Sequence, residues 1–461
     1  TAVERDEAGS NHADRDDAAC HNSDRDGADS HNAERDAATA AALADWVRSF
    51  DLEQAPLLRA GLLRLSEEKH LLLLDMHHSI GDALTTQLLL SELAAAYEGR
   101  QLPAPSFDYK DYAAWQRSWR ASEAARRQRD YWSRQLGGEL PVLELPTDRR
   151  RPAVQTFAGD RVAFATNEGL MQQLQELARQ HGCTLFMVLL AAYATLLSRY
   201  AGAEELTVGT PAAGRTHPQT TDMPGLFVNT LVLRMRPRQE LPYARFLETV
   251  RETAIAAYEH QDMPFEELVE LLDMRRDPSR NPLFDTMFLM QQEETGALRL
   301  GEATLTSVPL PYRVSAFDLT LSADETAEGL RFELEYNTDL FDASTIRRMA
   351  GHYMQLLASI VAAPEEQLGR LSMLSAAELH QLTSELAVHR QLSATESVER
   401  ATADGALAGA VDQPDDGVPT RAVDQADDGA SKRSFNVPAD QPVSAATAGE
   451  RLLPSTWPTD G

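Results

Sequence analysis

A run of apolar residues followed by a helical pattern predicts a strand, a turn and a helix in the first part of the chain. Leu71–Leu74 are four consecutive leucines, as expected of a strand that is buried on both faces. Leucines at helical spacing then continue up to Gly99. The pattern therefore places His77 and His78 on the turn between the strand and the helix. Asp82 is expected to cap that helix by accepting hydrogen bonds from its free N–H groups.

Helices and strands alternate further along the chain, which predicts an α/β fold with mixed sheets. Residues 170–201 are predicted to be helical with a break near Gly182, and residues 242–273 to form two helices that meet at Met263–Pro264. The other predicted segments are strands at 206–209 and 227–236, a strand-rich region at 298–336 and a helix at 343–362.

Both ends of the chain are low in sequence complexity. Residues 1–40 repeat with a period of ten and are rich in Asp, Arg, Ala, His and Asn. Such a repeat buries little apolar surface, so we expect it to be disordered. Residues 391–461 contain AVDQPDDG and AVDQADDG among Pro, Gly, Ala and Ser, and we interpret them as a linker or tail.

Composition and charge exclude some classes of function. The net charge of −28 argues against nonspecific nucleic-acid binding. The longest apolar run, residues 184–197, is short for a membrane span, so we expect a buried core helix and no membrane association. The chain begins at Thr1 without a secretory pattern, and we expect it to be part of a longer cytoplasmic chain. Cys20 and Cys183 are expected to stay reduced.

A group of arginines falls on one predicted helical stretch. It is interpreted as a solvated helix face, with contact to an acidic partner such as a carrier domain as the alternative. Its members are Arg117, Arg120, Arg126, Arg127, Arg129 and Arg134.

Five ordered motifs resemble the condensation domains of nonribosomal peptide synthetases. Residues 76–83 spell MHHSIGDA, which resembles the MHHxxxDG motif of that family. The other four motifs are YKDYAAW at 109–115, GLFVNTLVLR at 225–234, HQDMPFE at 260–266 and RDPSRNPLFD at 276–285. The resemblance covers roughly residues 48–385. It implies the two-lobed fold of the chloramphenicol-acetyltransferase type, with the first lobe at 41–165, the second at 166–390 and a tunnel between them.

The resemblance also implies a reaction and its partners. Condensation domains join a donor acyl or peptidyl thioester to an acceptor aminoacyl thioester and so form a peptide bond. Both substrates arrive on 4′-phosphopantetheine arms of upstream and downstream carrier domains, and an adenylation domain is expected next to them. The chain itself is therefore expected to bind no cofactor and no metal.

Carried over residue by residue, the resemblance makes His78 the catalytic histidine and gives His77, Asp82 and Ala83 supporting roles. The alternative for the histidine pair is that it only satisfies hydrogen bonds at the end of the strand. A metal site there is less well supported, because no HExxH motif or cysteine pair accompanies the histidines.

Three residues of the later motifs are expected at the tunnel or at the interface between the lobes. Asn229 belongs to a strand that lines the tunnel in the family. Arg280 and Asp285 are expected where the second lobe packs against the first. For each of them a role in packing is equally consistent with the sequence.

The chain also departs from the family pattern. Ala83 replaces the last glycine of MHHxxxDG, which is costly if that position needs a left-handed backbone. The family's earlier SxAQxRLW and RHExLRT motifs are absent, so Leu71–Asp75 is expected to lack its neighbouring strands, and Asp82 to lack an arginine partner. An alternative function is therefore an inactive remnant that at most docks carrier domains.

A third hypothesis is an epimerising relative, which RDPSRNPLFD disfavours because that motif is typical of condensing members. Leu84, where members that accept a D-configured donor often have tryptophan, favours an L-configured donor.

Overall fold

The computed structural model describes residues 46–105, 107–273, 277–292, 298–308 and 313–384. The predicted repeat at 1–40 and the predicted tail at 391–461 lie outside the described residues. The helices are α1 Ala83–Tyr97, α2 Tyr109–Trp119, α3 Glu123–Leu136, α4 Glu168–Gln180, α5 Leu185–Ala201, α6 Tyr243–Glu259, α7 Phe265–Leu271 and α8 Ala343–Ala362.

Within the described residues, the strands form one large sheet and two small ones. The large sheet has the order β3-β10-β9-β6-β4-β5, in which β6 runs parallel to both β4 and β9 and the remaining pairs are antiparallel. The prediction of an α/β fold with mixed sheets is confirmed. The strands are β1 Leu58–Arg64, β2 His70–Met76, β3 Gly159–Ala165, β4 Leu206–Ala212, β5 Asn229–Met235, β6 Thr286–Gln292, β7 Leu298–Leu300, β8 Ala303–Leu305, β9 Leu319–Thr326 and β10 Gly329–Asn337.

Helix α5 is the centre of the hydrophobic core. Every residue from Met187 to Ser198 is buried, which agrees with the prediction of a core helix. Thr184 caps its first turn and Gly202, in the left-handed conformation, ends it. In the described part of the chain, no single helix is both long and apolar enough to cross a membrane. Helices α4 and α5 pass that test only as a pair that bends by 102°.

Several predicted boundaries agree closely with the structure. The break near Gly182 separates α4 from α5, and Pro264 precedes α7, as a proline at a helix start should. Helix α8 covers the predicted residues 343–362. Strand β4 extends to Ala212, three residues beyond its predicted end. The predicted division into lobes at 165/166 stays a prediction.

The prediction that Leu71–Leu74 are buried on both faces is wrong. Strand β2 forms an antiparallel hairpin with β1, and none of the residues of either strand is buried. Leu74 is 37% exposed. The expected loss of strand partners is only partial, because β1 pairs along the whole of β2. An apolar run becomes a buried strand only when other layers cover it, and among the described residues no third strand joins this hairpin.

Candidate active site

His78 lies on the predicted turn, directly after β2. It begins a short 3-10 turn, His78–Ile80, and its Nδ1 lies 2.7 Å from the carbonyl oxygen of Gly81. Because a carbonyl only accepts hydrogen bonds, Nδ1 must carry the proton in the neutral ring. The lone pair of Nε2 is then the one that can accept a proton from another molecule.

A cleft of about 340 Å³ opens beside this histidine. One wall comes from the hairpin, with Leu58, Leu74 and Met76. The opposite wall is the first half of α1, represented by Thr86 and Leu89. His78, Gly81 and Asp82 lie between the two walls. The histidine therefore borders a space that is mostly apolar and large enough for part of a small molecule.

His77 has a different role from its neighbour. Its side chain accepts a hydrogen bond from the N–H of Ser79 at 3.2 Å, and its Nδ1 is 2.8 Å from Ser79 Oγ. Nδ1 of His77 is therefore unprotonated in the neutral ring, which is the opposite tautomer to that of His78. The ring also meets Phe50 edge-on, with centroids 6.1 Å apart. His77 thus caps the turn that presents His78.

Asp82 is the N-cap of α1, as predicted. Its Oδ1 accepts hydrogen bonds from the N–H and Oγ1 of Thr85, both at 2.9 Å, and its Oδ2 accepts one from the N–H of Phe227 at 3.1 Å. Burial on its own raises the pKa of Asp82, but the hydrogen bonds from Thr85, Phe227 and Arg215 outweigh it, and the pKa lies below its usual value. The carboxylate therefore fastens the start of α1 to the segment around Phe227.

Arg215 is the partner of Asp82, which the sequence did not reveal. Its Nη2 donates to Asp82 Oδ1 and to Thr85 Oγ1, each at 3.1 Å, and its Nη1 donates to the carbonyl oxygen of Met223 at 2.7 Å. The guanidinium also lies 4.2 Å from the centre of the Phe227 ring. The expectation that Asp82 has lost its arginine is therefore wrong. An arginine 133 residues away supplies the charge, and no spacing rule connects the two positions.

Ala83 is not strained. It is the first residue of α1, it is exposed, and it does not belong to the residues with positive φ. Gly81 is instead the demanding position, because a Cβ there would lie 2.6 Å from Met76 Cε and 2.8 Å from Thr85 Cγ2. Sequence reasoning missed Gly81, although its position between the paired histidines and the helix cap was a signal for close packing.

Asn229 joins two of the motifs. Its Nδ2 donates to the carbonyl oxygens of Gln261 at 2.8 Å and of Met263 at 2.6 Å. Its Oδ1 accepts the N–H of Phe265 at 3.0 Å. This side chain ties the start of β5 to the HQDMPFE segment, and its expected place in a tunnel stays a prediction.

Arg280 and Asp285 form an ion pair, with Nη1 and Oδ2 2.5 Å apart. Nη2 of Arg280 also lies 2.8 Å from Glu144 Oε1, a residue of the predicted first lobe. Burial, with the nearby charge of Asp318, raises the pKa of Asp285 to about 6, although Arg280 lowers it. Their predicted role at a lobe interface stays a prediction. Among the residues that the structure describes, no group of three His, Cys, Asp or Glu side chains is placed to hold a metal.

Comparison with known proteins decides the family. Residues 13–383 match the family model described as Condensation domain. The chain belongs to the condensation-domain family. Condensation domains are acyltransferases that act on carrier-bound thioesters and form peptide bonds.

Relatives and solved structures agree with this assignment. Tyrocidine synthase 3 of Brevibacillus parabrevis is 46% identical over 336 residues, which are 73% of this chain and 5% of that protein. The chain thus spans a small part of the length of this curated relative. A four-domain nonribosomal peptide synthetase bound to AMP and glycine is 26% identical, with a TM-score of 0.67 over 71% of this chain and 26% of that one.

A single condensation domain provides a further comparison of the fold. The first condensation domain of the calcium-dependent antibiotic synthetase, in complex with a substrate analogue, has a TM-score of 0.59 at 22% identity. The match covers 74% of this chain and 76% of that one. The similarity therefore extends over about three quarters of that condensation domain.

Proposed function

We propose that this chain forms a peptide bond between a donor acyl or peptidyl thioester and an acceptor aminoacyl thioester. Both substrates are carried on phosphopantetheine arms of partner carrier domains, upstream and downstream. An adenylation domain adjoins them in a cytoplasmic assembly. The four-domain synthetase to which the chain is similar supports such a multidomain setting.

The main support for this proposal is the hydrogen bond that His78 Nδ1 donates to the carbonyl oxygen of Gly81, beside the cleft. It fixes the tautomer, so that Nε2 can take up a proton. General-base assistance of this kind typically contributes about 10²–10⁴-fold to a rate.

The proton and electron balance is simple. The acceptor nitrogen attacks the thioester carbonyl carbon, the carbon–sulfur bond breaks, and the donor arm leaves as a thiolate. His78 Nε2 takes the proton from the nitrogen and returns it to the sulfur. Holding both arms in one cleft adds the effect of proximity, since well-oriented groups reach effective molarities of about 10⁵ M or more.

The test is single-turnover transfer between two loaded carrier domains. His78→Ala is expected to lower the rate by about 100-fold or more. His70→Ala, which alters an exposed histidine on the preceding strand, is the matched control and should keep the rate of the unaltered chain. Unchanged transfer in His78→Ala would remove His78 from its catalytic role.

The exposed hairpin favours a second candidate function, an inactive remnant that only docks carrier domains. In that case loaded carriers bind with measurable affinity, but no product forms in any variant. The same assay therefore separates the two functions, because it measures carrier binding and transfer in one experiment.

A further inference from the structure

Thr85 lies between the histidine turn, residues 78–80, and a distant segment of the chain. It is on the first turn of α1 and is 1% exposed. None of the three residues of the histidine turn is buried. Gly81, Asp82 and Thr85 are the first buried residues that follow it. The position of the histidine turn therefore depends on how these three residues are held.

The hydroxyl group of Thr85 lies within hydrogen-bonding distance of four polar groups. Its one proton has two acceptors within reach, Asp82 Oδ1 at 2.9 Å and the carbonyl oxygen of Gly225 at 2.8 Å. Its lone pairs accept hydrogen bonds from the N–H of Gly225 and from Nη2 of Arg215, each at 3.1 Å. The hydroxyl group thus joins the start of α1 to both backbone groups of a residue 140 positions later in the chain.

Gly225 is itself closely packed. A Cβ at this position would lie 2.2 Å from Cδ2 of Tyr109, a residue of α2. Tyr109 Oη also donates a hydrogen bond to a backbone carbonyl oxygen of the segment 225–227, at 2.7 Å. The N–H of Phe227 donates to Asp82 Oδ2 at 3.1 Å. Contacts with α2 and with the start of α1 therefore both hold this segment in place.

The methyl group of Thr85 lies against Gly81, at the end of the histidine turn. It is so close that a Cβ at Gly81 would lie 2.8 Å from it. The carbonyl oxygen of Gly81 accepts the hydrogen bond that fixes the tautomer of His78, at 2.7 Å. Close packing by the methyl group limits the space into which Gly81 can move. Thr85 therefore contacts both sides: its hydroxyl group holds the segment 225–227, and its methyl group supports Gly81.

We propose that Thr85 is a positioning residue, which keeps Gly81 and thereby the tautomer of His78 in place relative to the segment 225–227. This inference rests on the proposed role of His78 in proton transfer. The hydrogen bond at Nδ1 decides which ring nitrogen can act as the base, since the proton stays on the nitrogen that has an acceptor. If Gly81 is less firmly held, the ring can adopt the other tautomer, and Nε2 then no longer accepts a proton.

The test separates the two groups of Thr85 in the full chain. Thr85→Ser keeps the hydroxyl group and removes the methyl group. In single-turnover transfer between loaded carrier domains, we expect its maximal rate to fall by about three- to tenfold, while the carrier concentration that gives half of this rate is unchanged. Thr195→Ser, at a fully buried threonine of α5, is the matched control. It also loses a buried methyl group and should keep the rate of the unaltered chain.

The tautomer of His78 is measured without substrate, from the nitrogen chemical shifts of its ring, with His78→Ala to assign the signals. In mildly alkaline buffer, the unaltered chain and Thr195→Ser should show a protonated Nδ1, whereas Thr85→Ser should show a mixture of both tautomers. This measurement does not depend on catalysis. It therefore tests the role of Thr85 even if transfer is unchanged in His78→Ala and the proposed function fails.

Two further variants test each contact separately. Thr85→Val keeps a methyl group toward Gly81 but has no hydroxyl group, so amide exchange in the peptide covering 225–227 should become faster by about tenfold or more. Gly81→Ala should lower the transfer rate, because its new methyl group meets that of Thr85. In the Thr85→Ser background this loss should be smaller, since the methyl group of Thr85 is then absent.

Three results would overturn the proposal. The first is a Thr85→Ser variant whose ring signals match those of the unaltered chain. The second is an equal loss of rate in Thr85→Ser and Thr195→Ser, which would indicate a general effect of lost core packing. The third is unchanged exchange at 225–227 in Thr85→Val.

Discussion

Replacing Arg215 with alanine removes the cation that pairs with Asp82 at the start of α1. Both side chains are almost fully buried, 6% and 5% exposed. In the variant, Asp82 keeps its hydrogen bonds from Thr85 and Phe227 but loses its countercharge, and the carbonyl oxygen of Met223 loses a donor. Breaking a buried ion pair by removing one partner typically costs about 3–5 kcal/mol. We expect a loss of that size in the free energy of unfolding.

The loss of stability in Arg215→Ala is expected to depend on pH. In the unaltered chain the pKa of Asp82 is lowered, so its contribution to stability is complete above the unfolded pKa of about 4 and is lost as the pH falls through the folded value. Without Arg215 one of the hydrogen bonds that lower this pKa is gone, while the effect of burial remains. The difference in stability between Arg215→Ala and the unaltered chain should therefore shrink as the pH falls below about 4.

The assay is urea unfolding followed by tryptophan fluorescence at several pH values. Arg127→Ala, an exposed arginine of α3, is the control and should change stability by less than about 0.5 kcal/mol. Asp82→Asn in the Arg215→Ala background should recover part of the loss, because no buried charge is then left without a partner. A loss below about 1 kcal/mol that is the same at every pH would refute the reasoning, since a buried countercharge cannot behave so.

Three further predictions concern the neighbouring contacts. Gly81→Ala should lower the free energy of unfolding in urea by about 1–3 kcal/mol, because the new methyl group would clash with Met76 and Thr85. Ala83→Gly, at the exposed start of α1, is the control and should cost about 1 kcal/mol or less. Equal losses in the two variants would contradict this prediction. Asn229→Ala should lower the free energy of unfolding by about 1–3 kcal/mol, because the backbone groups that bond to Asn229 are left unpaired. Amide exchange in the peptide covering 261–265 should become faster, and unchanged exchange would contradict the prediction.

The third of these follows from Asp285, whose pKa is raised to about 6, above its unfolded value of about 4. The folded state therefore keeps this proton up to a higher pH than the unfolded state does. As the pH rises from 4 to 6, the free energy of unfolding should decline by up to about 1.4 kcal/mol per pH unit. Asp285→Asn should flatten this decline in urea titrations; the same slope in both proteins would contradict the assignment.

Local signals along the chain predicted much of the fold. Helix α8 has its predicted bounds, Gly182 separates α4 from α5, and Pro264 precedes α7. These features depend on hydrogen bonds and side-chain spacing within a few residues, which the sequence displays directly. The same holds for Asp82 as a helix cap, since cap and recipient are three residues apart.

Tertiary packing decided the rest of the candidate site. Arg215 reaches Asp82 from 133 residues away, and Asn229 bonds backbone groups more than thirty residues away. Nothing in local spacing favours these partners over others, because contacts of this kind depend on how the elements pack. The burial of β2 was predicted wrongly for the same reason. Four consecutive leucines make the strand suitable for burial, but whether it is buried depends on the layers that pack against it. The sequence by itself thus determined several helices, some of their ends and the histidine turn, whereas the tertiary structure decided which charge holds that turn and how far its strand is buried.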